Sequence, residues 1–154
     1  MDTEAQRLLK EGLSQLAGEG SESRYLEYCE PLLAYFELYR QWLASRHDPM
    51  AANPVALLKH QIIDCLAVSE DIFAIDVLDV CSGQAVPGLP MAITHPIGTF
   101  TLLEPDAERA RFLESACQTL QLTKVSVVNL ALDSYHTDRL FHEIVCRENI
   151  PVNL

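Results

Sequence analysis

"DVCSGQAVPGLP", residues 79–90, decides the fold. It follows the apolar run 74–80, which reads as a buried β-strand, and its glycines and prolines have the composition of a tight turn that feeds a helix. A strand leading through such a turn into a helix is the first half of a βαβ unit, the place where a nucleotide is cradled. Glycine serves there because it turns tightly and puts no β-carbon between backbone and ligand. Gly83 holds one such position. Glu104 lies 21 residues further on, where an acid at the tip of the next strand suits the ribose hydroxyls. Cys81 and Ala85 stand where two more glycines would be expected; if either backbone needs a positive φ, strain of roughly 1–2 kcal/mol follows. A strand followed by an ordinary turn is the plainer reading of one glycine and a distant acid.

Outward from this stretch the rhythm supports the unit. After Phe73 short β-rich runs alternate with helical ones: strand 74–80, helix near 89–94, strand 98–104, helix 106–120, strand 124–130, a short helical or looped piece around 134–139, and strand 141–146. Such alternation predicts parallel strands joined by crossovers, an α/β doubly wound sheet. Upstream the pattern is helical. Thr3 to Leu16 carries leucines at helical spacing and a second helix is expected over 22–44, with Pro31 kinking it or starting its main segment. After a polar loop at 46–52, Asn53-Pro54 caps a third helix reaching Val68, with Val55, Leu58, Ile62 and Leu66 along one side. Residues 1–70 are thus expected to form a helical region and residues 71–154 a Rossmann-like core, together one compact unit. That core stops after its fourth strand, so the sheet is expected to be C-terminally incomplete, with an open edge that a protein partner or a second copy would cover, unless the polypeptide is a fragment.

Composition narrows the class. The chain has 154 residues, 49% of them hydrophobic and 21% charged, which suits a globular domain and excludes a disordered one. No run of eighteen apolar residues occurs, so no membrane span is expected, and the acidic start MDTEAQ is unlike a secretory signal, which points to the cytoplasm. The five cysteines lack any C-x-x-C pair and read as reduced, mostly buried apolar residues. A net charge of −11 weighs against polyanion partners, whose affinity comes from lysine and arginine.

Taken together, "AYFELYRQW" (34–42), "IIDCLAV" (62–68), "DVCSGQAVPGLPMAI" (79–93), "TLLEPDAERARFL" (101–113), "VVNLALDSY" (127–135) and "FHEIVCR" (141–147) resemble the successive motifs of the bacterial small-subunit 16S ribosomal RNA guanine-N7 methyltransferases, the glucose-inhibited division protein B family. The P-G-x-P segment inside the turn is the most specific of them. The resemblance implies a class I methyltransferase fold with an N-terminal helical cap, S-adenosyl-L-methionine as cofactor, and small-subunit ribosomal RNA as partner. By position it implies that Cys81, Gly83 and Val86 line the methionine and ribose side through their backbone, that Glu104 reaches the ribose, that Leu132 and Asp133 flank the adenine, and that Arg147 sits beside the reacting centre.

The sequence also departs from the family. Cys81 and Ala85 replace glycines, Glu108 stands for a lysine, Ala131 for an arginine, and Arg46 to Pro49 for an asparagine-leucine-threonine motif. A catalytically degenerate homologue used as a protein-binding or scaffolding module is therefore the alternative to an active enzyme, with a methyltransferase of small or cationic substrates as a third reading. His60 and Asp64 are spaced to share a helix face, but without a third ligand they read as a surface pair rather than a metal site; of the family's H-x-x-D motif only Asp64 carries over, Gln61 standing at the histidine's place. His136, His142 and Cys146 give no convergent geometry, and no metal is expected. The aromatics Tyr25, Tyr28, Tyr35, Phe36, Tyr39 and Trp42 have no basic stripe beside them and read as packing rather than a base-stacking platform. Arg109 and Arg111 read as a solvated ion-pair surface.

Overall fold

The computed structural model describes residues 3–16, 26–69, 75–80 and 86–147. The chain divides into two compact units, Met1–Asp71 and Ile72–Leu154.

In the first unit α1 (Thr3–Leu16) buries Ala5, Leu9 and Leu13 at four-residue spacing, and Gly12 lets the side chain of Ile63 seat close against its backbone. α2 (Cys29–Ser45) has Pro31 in its first turn, where the missing N–H has no helical acceptor to lose. Tyr35, Phe36 and Tyr39 of α2 are buried, and the rings of Tyr35, Tyr39 and Trp42 stack at centroid separations of 6.0 and 6.2 Å. Tyr35 and Tyr39 pack the core, while Trp42 is half-buried with the Arg46 guanidinium 5.1 Å from its ring. A 3-10 turn (Pro49–Ala52) is capped by the Asp48 carboxylate, and α3 (Pro54–Leu58) by the Asn53 side chain, which accepts from Ala56 N.

α3 continues into a π-helical turn (Lys59–Ile63) and then α4 (Asp64–Ser69), with Asp64 N–H donating to the carbonyl of Lys59 five residues back. The helix expected from the Asn53-Pro54 cap is present and reaches Ser69, but the π turn interrupts its regular winding. The buried residues are Leu57 and Leu58, Gln61 and Ile62, then Cys65 and Leu66, while Val55 is exposed. Pairs that recur every four residues would drift by about 40° per turn around a 3.6-residue helix. The wider π turn absorbs that drift and carries Gln61 inward.

In the second unit the order is β1 (Asp76–Val80), α5 (Gly88–Thr94), β2 (Thr99–Leu103), α6 (Ala107–Thr119), β3 (Val125–Val128), a 3-10 turn (Leu132–Ser134) and β4 (Glu143–Val145). The strands form one parallel sheet of order β3-β2-β1-β4, the Rossmann-like α/β class that the alternation predicts. Val77 and Asp79 of β1 share a face with Phe100 and Leu102 of β2 and Val125 and Val127 of β3. α5 covers the middle of that face, where Gly88 meets Asp79 and Leu102, and α6 covers its β3 side, where Cys117 lies by Val125 and Val127. On the opposite face Leu78, Val80 and Leu103 are buried, with Val128, Tyr135 and Phe141 packed against them. β4 pairs with β1 on one side and with no further strand among the described residues. No helix is long and apolar enough to cross a membrane among the described residues.

Candidate functional site

All four strands run the same way in matched register, Val80 beside Leu103, Leu103 beside Val128, and Asp79 beside Val145, so their C-terminal ends form one rim. The order turns back at β1, whose neighbours β2 and β4 are reached by connections of opposite sense. A crevice opens at such a reversal, above the carboxyl ends of the strands, and ligands of open α/β sheets bind there.

At the end of β1, Asp79 is 1% exposed, and its Oδ2 accepts a hydrogen bond of 2.9 Å from Gly88 N. The carboxylate thus ties the last turn of the strand to the first residue of α5. Gly88 has no room for a side chain: a β-carbon would overlap both Asp79 Oδ2 and Leu102 Cδ2. Here the P-G pair of the motif has a packing reason. Val86, two residues earlier, is buried. Cys81 and Gly83, with Ala85, lie outside the described residues.

At the end of β2, Glu104 is 1% exposed. Its Oε1 accepts from Asp106 N at 2.8 Å, and Asp106 in turn caps α6, its Oδ1 accepting from Glu108 N at 3.0 Å and Arg109 N at 2.8 Å. The turn that carries the acid is therefore anchored to the helix that follows. Asn129, just past β3, donates from Nδ2 to Glu104 O at 2.7 Å and to Pro105 O at 3.1 Å. Sequence reasoning missed both Asp79 and Asn129. An acid near a strand's end, nine residues before the glycine of P-G, was a signal for the first; a side-chain bond across 25 residues leaves no periodic trace.

Leu132 and Asp133 lie on the 3-10 turn after β3, Leu132 38% exposed and Asp133 accepting from Ser134 Oγ at 3.1 Å. Arg147 is exposed, two residues past the end of β4. Val86, Glu104, Leu132, Asp133 and Arg147 thus each come after the C-terminal end of a strand in chain order. The other constellations stand elsewhere. His60 Nδ1 lies 3.0 Å from Asp64 Oδ2 as an exposed pair on the π turn, and no three His, Cys, Asp or Glu side chains converge among the described residues. Arg109 and Arg111 make no ion pair among the described residues, in contrast to the ion-pair surface expected of them.

At the opposite end of the sheet Asp76 accepts from Thr99 Oγ1 and from Arg139 Nη2, whose guanidinium also lies 5.2 Å over the Phe141 ring. These hydrogen bonds, Thr99's first and then Arg139's, hold the Asp76 carboxyl below the usual range. Burial, reinforced by Glu114, pushes the Cys117 thiol up to about 11, so it is a packing group and not a nucleophile.

Comparison with known proteins agrees with this architecture. The family model for GidB, rRNA small subunit methyltransferase G, matches residues 28–152. Ribosomal RNA small subunit methyltransferase G of Nitrosococcus oceani is 31% identical over 147 residues, which cover 96% of this chain and 67% of that protein. The protein of the same name from Idiomarina loihiensis is 30% identical over 145 residues, 94% of this chain and 70% of the relative. That from Coxiella burnetii is 27% identical over 139 residues, 90% and 66% respectively. The chain therefore spans about two thirds of the length of these relatives. With a family match over most of its residues and the parallel sheet that the motifs imply, the chain belongs to the rRNA small subunit methyltransferase G family.

Proposed function

We propose that the chain is an S-adenosyl-L-methionine-dependent methyltransferase that acts in the cytoplasm on guanine N7 of small-subunit ribosomal RNA. The observation that carries this reading is the Glu104 carboxylate at the tip of β2, next to the strand reversal at β1, in a chain of this family. A carboxylate only accepts hydrogen bonds, which fits it to a vicinal pair of hydroxyls, so the described part of the rim suits an adenosyl group. Glu104 would hold the ribose. The backbone at Cys81, Gly83 and Val86 would face the methionine and ribose side, Leu132 and Asp133 would flank the adenine, and Arg147 would stand beside the reacting centre. Bound cofactor supplies a methyl group already activated on a sulfonium. Guanine N7 carries its own lone pair, so the protein needs no strong base, and alignment is its main contribution.

The test is calorimetric titration with S-adenosylmethionine and S-adenosylhomocysteine, followed by methyl transfer to small ribosomal subunits at low salt. Micromolar binding and label in the RNA are expected; silence at millimolar ligand sinks the enzymatic reading. A second reading, a protein-binding module in which the cofactor pocket has lapsed, is favoured by one observation. β4 presents an outer edge with no neighbouring strand among the described residues, and Ile144 on it is 67% exposed. Under that reading the protein binds no adenosyl ligand and self-associates or captures a protein through β4, and Ile144→Lys abolishes the association.

A further inference from the structure

We infer that Asn129 is the positioning residue for the ribose-binding carboxylate of Glu104, an inference that rests on the adenosyl reading above. The β2–β3 ladder ends where Glu104 N donates to Val128 O at 3.0 Å. In a continuing parallel ladder the next donor to Glu104 O would be the N–H of Leu130, but that N–H turns back to Val128 O at 3.0 Å. The side chain of Asn129 takes over. Its Nδ2 reaches Glu104 O and Pro105 O, so the two hydrogens of one amide hold two consecutive carbonyls.

This fixes the acid on every side that matters. The ladder holds Glu104 at its N–H, Asn129 holds it at its carbonyl, and Asp106 N holds one carboxylate oxygen. Proline at position 105 confines Glu104 to extended backbone, so the remaining freedom is rotation of the Glu104–Pro105 unit as a whole. That rotation is what a donor to both carbonyls prevents. Asn129 therefore sets the direction of the carboxylate without needing to touch a ligand itself.

The experiment measures affinity for S-adenosylhomocysteine and for its 2′,3′-dideoxyribose analogue, in the wild type and in Asn129→Ala and Asn129→Gln. The ratio of the two affinities isolates the contribution of the ribose hydroxyls. In Asn129→Ala the natural ligand should bind about tenfold more weakly while the dideoxy analogue is nearly unchanged, so the ratio collapses; Asn129→Gln, which keeps both donors, should recover most of it. Melting of each unliganded variant checks that it folds, and Asn129→Asp, equal in size but without donors, carries the same expectation if the alanine variant does not. Equal weakening of both ligands, or no change in the ratio, would mean that Asn129 only supports the fold, and overturns the inference. A wild type that binds neither ligand overturns the adenosyl reading and this inference with it.

Discussion

At Gly88 a β-carbon would enter space held by the Asp79 carboxylate and the Leu102 side chain, and the residue's own N–H donates to that carboxylate. Neither neighbour can yield easily, because both are buried in the sheet. Gly88→Ala should therefore lower stability by about 1–3 kcal/mol, the usual range for overpacking a core, measured by urea denaturation. Alanine's better helix propensity would offset only part of this. A neutral or stabilising result would show that α5 can lift from β1 without loss. Asp79→Asn is the companion change: it keeps the size and leaves one acceptor, so it should cost less than Asp79→Ala, which strands the Gly88 donor. At this scale the motif was legible as a motif, from the proline and glycine spacing. Its reason, a carboxylate seated against a helix start, was not, because Asp79 and Gly88 touch only once the strand and the helix are placed.

Elements differ in how openly the chain announced them. β1 and β2 read clearly because apolar residues fill both of their faces, Val77, Leu78 and Val80 in one and Phe100, Leu102 and Leu103 in the other, as a parallel strand covered on both sides requires. β3 is shorter than its apolar pattern, since Leu130 N turns back at Val128 O and ends the ladder early. The π turn was illegible from spacing alone: 55, 58, 62, 66 satisfies an ordinary helix as well as the true buried set satisfies a wider one. β4 is the weakest element, three residues long and paired on one side. What secures its approach is a group at the other end of the sheet. Arg139 donates to Asp76 and to Thr99 Oγ1 and lies over Phe141, and His142 N donates to Asp76 O. Arg139→Ala should thus speed amide exchange at His142 and along β4, and leave the β2–β3 amides Glu104 and Phe100 protected as before. Uniform loss of protection across the sheet would mean that β4 unfolds only with the whole unit.

For the whole molecule, charge sets the conditions of stability. Twenty-two acids against eleven bases give a net charge of −11, and like charges spread over a small protein repel. Raising salt from about 10 to 150 mM shortens the screening length toward 8 Å and should raise the melting temperature by a few degrees, about 1 kcal/mol. Acidification acts through two carboxylates: Asp76, lowered by its bonds from Thr99 and Arg139, and Glu37, lowered by its bond from Arg40. Each is more acidic folded than unfolded, so its contribution is complete above the unfolded values near about 3.9 and 4.3 and is lost as pH falls through the folded ones. Stability should therefore fall as pH drops below about 4. The stability difference between wild type and Asp76→Asn, followed by urea denaturation, should shrink over that acid limb; a difference that stays constant from about pH 7 to 2.5 would mean that Asp76 contributes through shape rather than charge. The same surplus of acid bears on RNA. Few cations are available to displace counterions, so affinity for the ribosomal subunit should fall with salt on a shallow slope, and Arg109 and Arg111, which make no ion pair among the described residues, are the side chains whose reversal to glutamate reads most directly on that slope.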